Sequence, residues 1–237
     1  MNTTNSVLLV KFGEKEHLER LKNGEIFFSK ISNYRNDGTH FRGDRLEGKY
    51  LIDPTSVKIF DKNGTNLLEG LPPPTEVVKG YADDDDTLMF CAAGLSTNNL
   101  IEVEKNRYKL TKAFKKSMQE FGAYALIFWS SDLCSRVSKC RKQGMDIAYE
   151  TRFISYRDKS NFDEPIISNQ KSNIDLYFVK DKKYQAQNEW RMIIDGEKEP
   201  LKLNHEKGYI LNIEPIEDCL LLPTKELFDE GIILSFE

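Results

Sequence analysis

One short stretch of the chain, from Tyr184 to Asp195 with the sequence YQAQNEWRMIID, concentrates the side chains best suited to chemistry. Its polar part carries three amides, a carboxylate and a guanidinium, on Gln185, Gln187, Asn188, Glu189 and Arg191. The apolar run that follows indicates a strand entering the core. A carboxylate at the edge of such a strand can stabilise a developing positive charge where water is excluded.

The spacing within this stretch predicts which side chains share a surface. Alternate side chains of a strand point to the same face, so Glu189 and Arg191 are expected on one cleft wall and Trp190 in the core. Gln187 would lie on the same face as Glu189, where its amide can orient a nucleophile. A surface ion pair between Glu189 and Arg191, which contributes little to stability, remains the simpler alternative.

The amino-terminal part of the chain predicts a compact strand, helix and strand unit. SVLLVKF, Ser6 to Phe12, is typical of a strand, and EIFFS, Glu25 to Ser29, of a second one. Between them, Glu14 to Asn23 has apolar residues at helical spacing, acids in its first turn and Gly24 just past its end. These features together predict a short helix with a glycine stop.

The next segments predict loops rich in charge. SKISNYRNDG has the Ser, Asn and Gly content of a turn region, and FRGDRLEG adds four charged residues, Arg42, Asp44, Arg45 and Glu47. GLPPPTEVVKGYADDDDT follows, and we expect residues 72–87 to form a mobile loop with Asp83 to Asp86 solvated. Four consecutive carboxylates cannot all converge on one ion, so no metal site is predicted there.

The remaining chain contains more strands than helices. Helices are predicted from Thr111 to Gly122 and from Asp132 to Gln143, the second with a basic face. Strands are predicted in the segments LMFCAA, AYALIFW, DIAYETRFISY, IDLYFVK, GYILNIEP, CLLLP and GIILSF. Helices do not alternate regularly with strands, which indicates an α+β fold with a central, mainly antiparallel twisted sheet and two to four helices. One domain over residues 1–237 is expected.

Composition excludes several classes of function. The 34 basic and 38 acidic residues leave a net charge of -4, which argues against a protein whose whole surface binds polyanions. Neither a zinc site nor a Ser/His/Asp hydrolase is predicted, because the cysteines and histidines are scattered without ligand spacing. We expect the cysteines to be reduced. These residues are Cys91, Cys134, Cys140 and Cys219 with His17, His40 and His205.

The amino-terminal stretch MNTTNSVLLVKFGEKEH lacks a basic leader and has only a short apolar run. No run in the chain approaches the roughly 20 apolar residues of a membrane span. A cytoplasmic protein without membrane association is therefore expected.

The order of these pieces resembles the ADP-ribosyltransferase superfamily, in particular bacterial proteins of the abortive-infection and toxin type. Members open with a strand carrying a basic residue, then a short helix ending in glycine, then a strand ending near Ser or Thr, as VLLVKF, EKEHLERLKNG and EIFFS do here. They close the site with a glutamate at the edge of a later strand, matched by Glu189 in QNEWRMII. RGDRLEG and KYQAQNEWRMII also look like an uncharacterised bacterial family with the same two motifs.

The resemblance implies that NAD is the substrate and that Glu189 stabilises the ribosyl cation. Gln187 would act on the acceptor side, as in a Gln-x-Glu pattern, and Arg191 would orient the glutamate. The phosphates of NAD would be neutralised by Lys11, which stands where the superfamily usually has Arg or His, or alternatively by Arg42 or Arg191.

Residues of the second strand and the following loop would hold the nicotinamide end. The resemblance implies that Phe28 and Tyr34 stack on nicotinamide and that Ser29 bonds the ribose. One of the pair Phe27 and Phe28 must pack in the core whatever the protein does.

The leading hypothesis is an NAD-dependent ADP-ribosyltransferase toxin of phage defence that modifies RNA, DNA or a protein and has an antitoxin as a possible partner. An alternative is a non-enzymatic antitoxin or interaction protein on a related fold. A third hypothesis is a metal-dependent nuclease that uses Asp44 and Glu47 with Glu189.

Overall fold

A strand that is apolar along its whole length organises the structure. In the computed structural model, which describes residues 6–39, 41–80, 84–158 and 173–234, this strand is β5, Leu88–Leu95. Almost all of its side chains are buried, on both faces of the sheet. A strand of this kind needs neighbours along both edges and cover on both faces, so the other elements assemble around it.

The helices of the described residues are short and surround the strands. The strands are β1 (Leu8–Gly13), β2 (Glu25–Lys30), β3 (Tyr50–Ile52), β4 (Val77–Lys79), β5, β6 (Leu100–Glu104), β7 (Arg107–Leu110), β8 (Tyr124–Trp129), β9 (Ala148–Phe153), β10 (Ser155–Arg157), β11 (Val179–Asp181), β12 (Glu189–Asp195), β13 (Gly208–Asn212), β14 (Cys219–Pro223) and β15 (Ile232–Ile233). The α-helices are α1 (Lys15–Lys22), α2 (Ile31–Asn36), α3 (Lys112–Met118), α4 (Ser130–Lys142) and α5 (Thr224–Glu230). Short 3-10 helices span Pro54–Ser56, Asp84–Asp86, Asn173–Phe178 and Lys182–Gln187.

The central sheet is antiparallel. Its strand order is β13, β2, β5, β1, β8 and β14, with β12 also paired to β5 and β9 paired to β12. The parallel pair β10 and β11 forms a separate small sheet. The prediction of an α+β fold with a mainly antiparallel sheet is therefore confirmed. The described residues hold five α-helices rather than two to four, because α2 forms where a loop was predicted and α5 forms where no helix was predicted.

The central sheet forks at β5. On one edge of this strand, β2 pairs at Leu88 and Met89, and β1 pairs from Ala93 to Leu95. On the opposite edge, β12 pairs without interruption from Leu88 to Ala93. Residues 90–92 therefore lie between the two partners on the first edge, where β1 and β2 diverge. Helix α1 connects the diverging strands, so the fork encloses a cleft.

Two apolar layers cover the sheet. On one face, Leu9, Phe28 and Trp190 belong to the largest core cluster, which confirms the predicted core position of Trp190. On the other face, residues of β1, α3 and α5 form a second cluster. Gly24 ends α1 as predicted: its φ is +97°, and a Cβ would approach Ile213 O to 2.2 Å.

Three local predictions were wrong. SKISNYRNDG contains α2, which is anchored where Ile31 N donates to Thr87 O at 2.8 Å. In IDLYFVK, the apolar residues form the 3-10 helix Asn173–Phe178, and only its end enters β11. The segment before Glu189 is also 3-10 helical. Short apolar runs do not distinguish a strand from a buried helical turn.

One acid of the run that was predicted to be solvated is instead buried against a cation, while Asp85 and Asp86 remain exposed. Asp84 is buried and accepts two bonds from Arg35, at 2.8 Å and 2.6 Å, and Lys30 pairs with the exposed Asp86 at 2.9 Å. Asp83 lies outside the described residues. The end of the predicted mobile loop is thus attached to β2 and α2.

Among the described residues, no helix combines the length and the apolar character that crossing a membrane requires.

Candidate functional site

The fork between β1 and β2 opens into a cleft with a volume of about 730 Å³. This volume is within the range of ligand sites, roughly 300–1,000 Å³. The structure brings six of the predicted site residues to the cleft wall: Lys11, Ser29, Tyr34, Arg42, Gln187 and Glu189. The other two, Phe28 and Arg191, lie in the interior behind it.

Glu189 is the first residue of β12, the strand on the edge of β5 opposite the fork, and it lines the cleft. The residue is only 7% exposed, and each of its carboxylate oxygens accepts a hydrogen bond from a cation. Oε1 accepts from Arg191 Nε at 2.6 Å, and Oε2 accepts from Lys180 Nζ at 2.8 Å. Its backbone N–H donates to Tyr156 Oη at 2.7 Å. The carboxylate is therefore fixed in place with one lone pair of each oxygen still available.

The two cations keep Glu189 ionised. Burial by itself would raise the pKa of this carboxyl, but the charges and hydrogen bonds of Arg191 and Lys180 outweigh burial and hold the pKa well below its ordinary value of 4.5. Glu189 therefore presents a fixed negative charge to the cleft at neutral pH.

Arg191 lies behind Glu189 and does not reach the cleft. It is 1% exposed, and its two terminal nitrogens donate to the carboxylate of Glu47 at 2.7 Å and 2.9 Å. Nη1 also donates to Tyr177 O at 2.5 Å. The prediction that Glu189 and Arg191 share a face is correct, but the alternative of a surface ion pair is wrong, because both side chains are buried. Glu47, Arg191, Glu189 and Lys180 form one buried network with two charges of each sign, named here the charge quartet.

Gln187 lines the cleft from the 3-10 helix before β12, not from the strand face on which it was predicted. It ends the 3-10 helix, and Asn188, with a φ of 46°, separates it from β12, so the two residues do not share a strand face. The Gln187 side chain donates from Nε2 to Phe41 O at 2.7 Å and accepts from Lys180 Nζ at 3.2 Å. Both ends of its amide are thus engaged beside Glu189.

Lys180 is a residue of the candidate site that sequence reasoning missed. It lies on β11, is 4% exposed, lines the cleft, and places its ammonium 4.6 Å from the centre of the Tyr184 ring. A single lysine near the end of an apolar run carries no motif. Its partnership with Glu189 depends on how β11 is packed in three dimensions.

The two predicted phosphate ligands, Lys11 and Arg42, are further cations of the cleft wall. Lys11 Nζ donates to Cys91 O at 2.6 Å within the fork, and Arg42 Nη2 donates to Phe121 O at 2.7 Å. Neither forms an ion pair with a described acid. Burial lowers the pKa of Lys11 from its ordinary value. Cations that are held by carbonyl groups remain electrostatically available to an anion.

The two phenylalanines of β2 are placed the other way round from the prediction that Phe28 contacts the ligand. Phe28 is fully buried in the core and cannot stack on a ligand, whereas Phe27 points to the cleft. Strand alternation determines this result, because Ile26 and Phe28 both face the core. Ser29 lines the cleft and accepts from Asn33 Nδ2 at 2.9 Å. Tyr34 also lines it, and burial raises the pKa of its hydroxyl well above 10.0.

The residues proposed for a metal-dependent nuclease have other partners. Glu47 is bound by Arg191, and Asp44 Oδ1 accepts from Leu46 N at 3.0 Å within its own loop. The described part of the chain contains no group of three His, Cys, Asp or Glu side chains placed to hold a metal ion. The four cysteines are free thiols, and burial raises the pKa of Cys91, at the cleft floor, to about 12. His40 lies outside the described residues.

The low pKa of Glu189 predicts a specific dependence of stability on pH. Because its pKa is lower in the folded than in the unfolded chain, its ionised form stabilises the fold. This contribution is complete above the ordinary value of 4.5 and is lost as the pH falls toward the folded-state pKa. The free energy of unfolding, measured by urea denaturation at a series of pH values, should differ most between wild type and Glu189→Gln at neutral pH. The difference should shrink below about pH 4.5; a constant difference down to pH 3 would contradict the assignment.

Comparison with protein-family models, with curated proteins and with solved structures found no match for this chain.

Proposed function

We propose that the protein is an NAD-dependent ADP-ribosyltransferase that acts as a toxin in phage defence and modifies a protein or nucleic-acid acceptor. The observation that carries the proposal is the fixed, ionised carboxylate of Glu189 on the wall of a cleft that also holds the cations Lys11 and Arg42. The order of the short motifs along the chain supports the same assignment.

The proposed reaction transfers ADP-ribose from NAD. The bond between the ribose C1′ and the nicotinamide nitrogen breaks, its electron pair leaves with nicotinamide, and positive charge develops on the ribose. Glu189 stabilises this charge, and its effect is large because burial removes competing water. A nucleophile of the acceptor then bonds to C1′ and releases its proton. Gln187 lies beside Glu189, and the second lone pair of its side-chain oxygen can accept a hydrogen bond from that nucleophile.

The cleft suits a dinucleotide in charge as well as in volume. A diphosphate carries negative charge that Lys11 and Arg42 can neutralise, since neither is paired with a described acid. Tyr34 provides an aromatic surface near Glu189 for nicotinamide. These features support NAD over a small neutral substrate.

The test is incubation of the purified, folded protein with NAD that is radiolabelled in its adenylate part, together with extract of the host cell. We expect label to move to macromolecules and free nicotinamide to appear. Digestion of the product with protease or with nuclease then identifies the acceptor class. Absence of both label transfer and NAD loss would refute the proposed activity.

The basic face of α4 gives no specific support to a nucleic-acid acceptor. Arg136 pairs with Asp132 at 2.9 Å, and Lys139 pairs with Glu214 at 2.6 Å. Local acids already neutralise these cations, so the acceptor class is left to the digestion experiment.

A non-enzymatic interaction protein is the second candidate, and one observation favours it. Both oxygens of Glu189 are already bound by cations within the charge quartet, as in an ion network that only stabilises the fold. Under this alternative, the protein binds an antitoxin or another defence component and turns over no NAD.

Removing Lys11 or Arg42 should weaken binding of the diphosphate. Lys11→Met and Arg42→Met are each expected to reduce affinity for ADP-ribose by about tenfold, since a charge-assisted hydrogen bond contributes about 1.5–3 kcal/mol. The loss should be smaller at high salt, because screening already weakens the wild-type contact. Calorimetric titration at two salt concentrations measures both effects.

Arg45→Met is the matched control for these variants. Arg45 lies in the same loop as Arg42, but its exposed side chain pairs with Glu76 and does not line the cleft. Its replacement should leave ADP-ribose affinity unchanged. An equal loss in all three variants would indicate damage to the loop rather than a missing phosphate contact.

A further inference from the structure

An exposed aromatic ring lies on the β2 side of the cleft. Phe27 is 40% exposed, although its neighbours Ile26 and Phe28 are fully buried. An isolated exposed phenylalanine is common on protein surfaces, but this one lines the same cleft as Glu189, Lys11 and Arg42. It therefore offers an apolar surface to whatever occupies the cleft.

His205 adds a second ring to this surface. Its centre lies 5.1 Å from that of Phe27 with an interplanar angle of 73°, and it also lines the cleft. The backbone N–H of Lys207 donates to His205 Nδ1 at 3.1 Å, which fixes the orientation of the imidazole ring. Edge-to-face packing of this kind leaves one face of a ring open for a third ring.

Hydrogen bonds hold in place the turn that carries His205. Gly208 N donates to His205 O at 3.1 Å and closes the turn that carries the histidine. Asn33 Nδ2 donates to Lys207 O at 2.7 Å and ties this turn to α2. A Cβ at Gly208 would lie 3.1 Å from the Phe27 ring and 2.0 Å from Phe28 O, so glycine permits the close approach.

The topology separates these rings from Glu189. Strands β2 and β12 both pair with β5 at Leu88 and Met89, so they lie on its opposite edges. Phe27 is thus on the far side of β5 from Glu189. Lys11 Nζ, bonded to Cys91 O of β5, lies between the two sides. A ligand whose reacting ribose contacts Glu189 and whose diphosphate meets Lys11 would extend its other end toward Phe27.

We propose that Phe27 and His205 form a nucleobase-binding subsite that holds the adenine end of the dinucleotide, remote from the reacting bond. This assignment rests on the proposed function. A nucleobase presents a flat π-surface and suits an exposed aromatic platform, and replacing such a platform by alanine costs at least about fivefold in affinity.

Two half-ligands test the subsite: ADP-ribose, which contains the adenine end, and nicotinamide mononucleotide, which lacks it. In calorimetric titrations, Phe27→Ala should bind ADP-ribose about tenfold more weakly than wild type and nicotinamide mononucleotide equally well. Phe27→Trp should retain ADP-ribose affinity. Phe60→Ala, at an exposed phenylalanine that does not line the cleft, is the matched control and should match wild type.

The possible outcomes separate the subsite from the proposed function. If wild type binds ADP-ribose and Phe27→Ala binds it equally well, the subsite is wrong and the proposed function stands. Equal losses for both half-ligands would also overturn the assignment. If folded wild type binds neither half-ligand, the proposed function fails and the subsite with it. His205→Ala, on an exposed turn, should reproduce the selective loss and decides the question if Phe27→Ala does not fold.

Discussion

Replacing Glu189 by glutamine should lower the proposed ADP-ribose transfer by about 10²-fold or more, the scale of removing one preorganised electrostatic contact in an active site. The substitution keeps the shape of the side chain and removes the charge that would stabilise the ribosyl cation. Binding of ADP-ribose should change much less, because the proposed ground-state contacts with Lys11 and Arg42 remain. Initial rates of label transfer and calorimetric affinities, measured on the same preparations, check both expectations.

Glu47→Gln is the matched control for this experiment. Glu47 belongs to the same charge quartet, so its loss leaves the same excess of buried positive charge, but Glu47 does not line the cleft. Both variants should be destabilised, and only Glu189→Gln should lose most of its activity at a temperature where both are folded. Comparable activity losses would mean that the carboxylate of Glu189 acts only as part of the fold.

The same pair of variants distinguishes the two candidate functions in cells. If Glu189→Gln retains full toxicity or protection while it accumulates to the wild-type level, binding rather than catalysis explains the phenotype. If the phenotype disappears in Glu189→Gln and persists in Glu47→Gln, catalysis is supported.

Replacing Arg191 by methionine should reduce the free energy of unfolding by about 3–5 kcal/mol, the usual effect of removing one partner from a buried ion pair. Glu47 and Glu189 would then lie close together in the interior with Lys180 as the remaining cation of the quartet. Because Glu47 belongs to the loop after α2, this loop should also lose its attachment to β12. Urea denaturation measures the effect, provided that the transition remains two-state.

Two comparisons decide whether buried charge is the cause. Arg107→Met removes a cation from exposed pairs with Glu104 and Glu230 and should change stability by no more than about 1 kcal/mol. Combining Arg191→Met with Glu47→Leu should recover part of the loss, since both members of one buried pair are then apolar. A double variant less stable than Arg191→Met would contradict this explanation.

Regular local patterns were sufficient for much of the fold. Alternation and apolar runs located β1, β2, β5, β8 and β12, and the acids and glycine around α1 defined its limits, because these signals depend on neighbouring residues alone. The shared face of Glu189 and Arg191 followed from the strand period. The same period, applied to β2, places either Phe27 or Phe28 in the core but does not say which one.

The tertiary structure decided the remainder, because the decisive contacts join residues far apart in the chain. Lys180 and Glu47 acquire their roles only when β11 and the loop after α2 pack against β12, and neither belongs to a local pattern that signals an ion network. On β2, Phe28 packs in the largest core cluster, so Phe27 faces the cleft. The sequence by itself therefore located these five strands and placed a carboxylate at the edge of one of them. Whether that carboxylate is exposed or held ionised in a cleft was determined by the fork at β5 and by cations from distant segments, since burial and charge depend on three-dimensional surroundings.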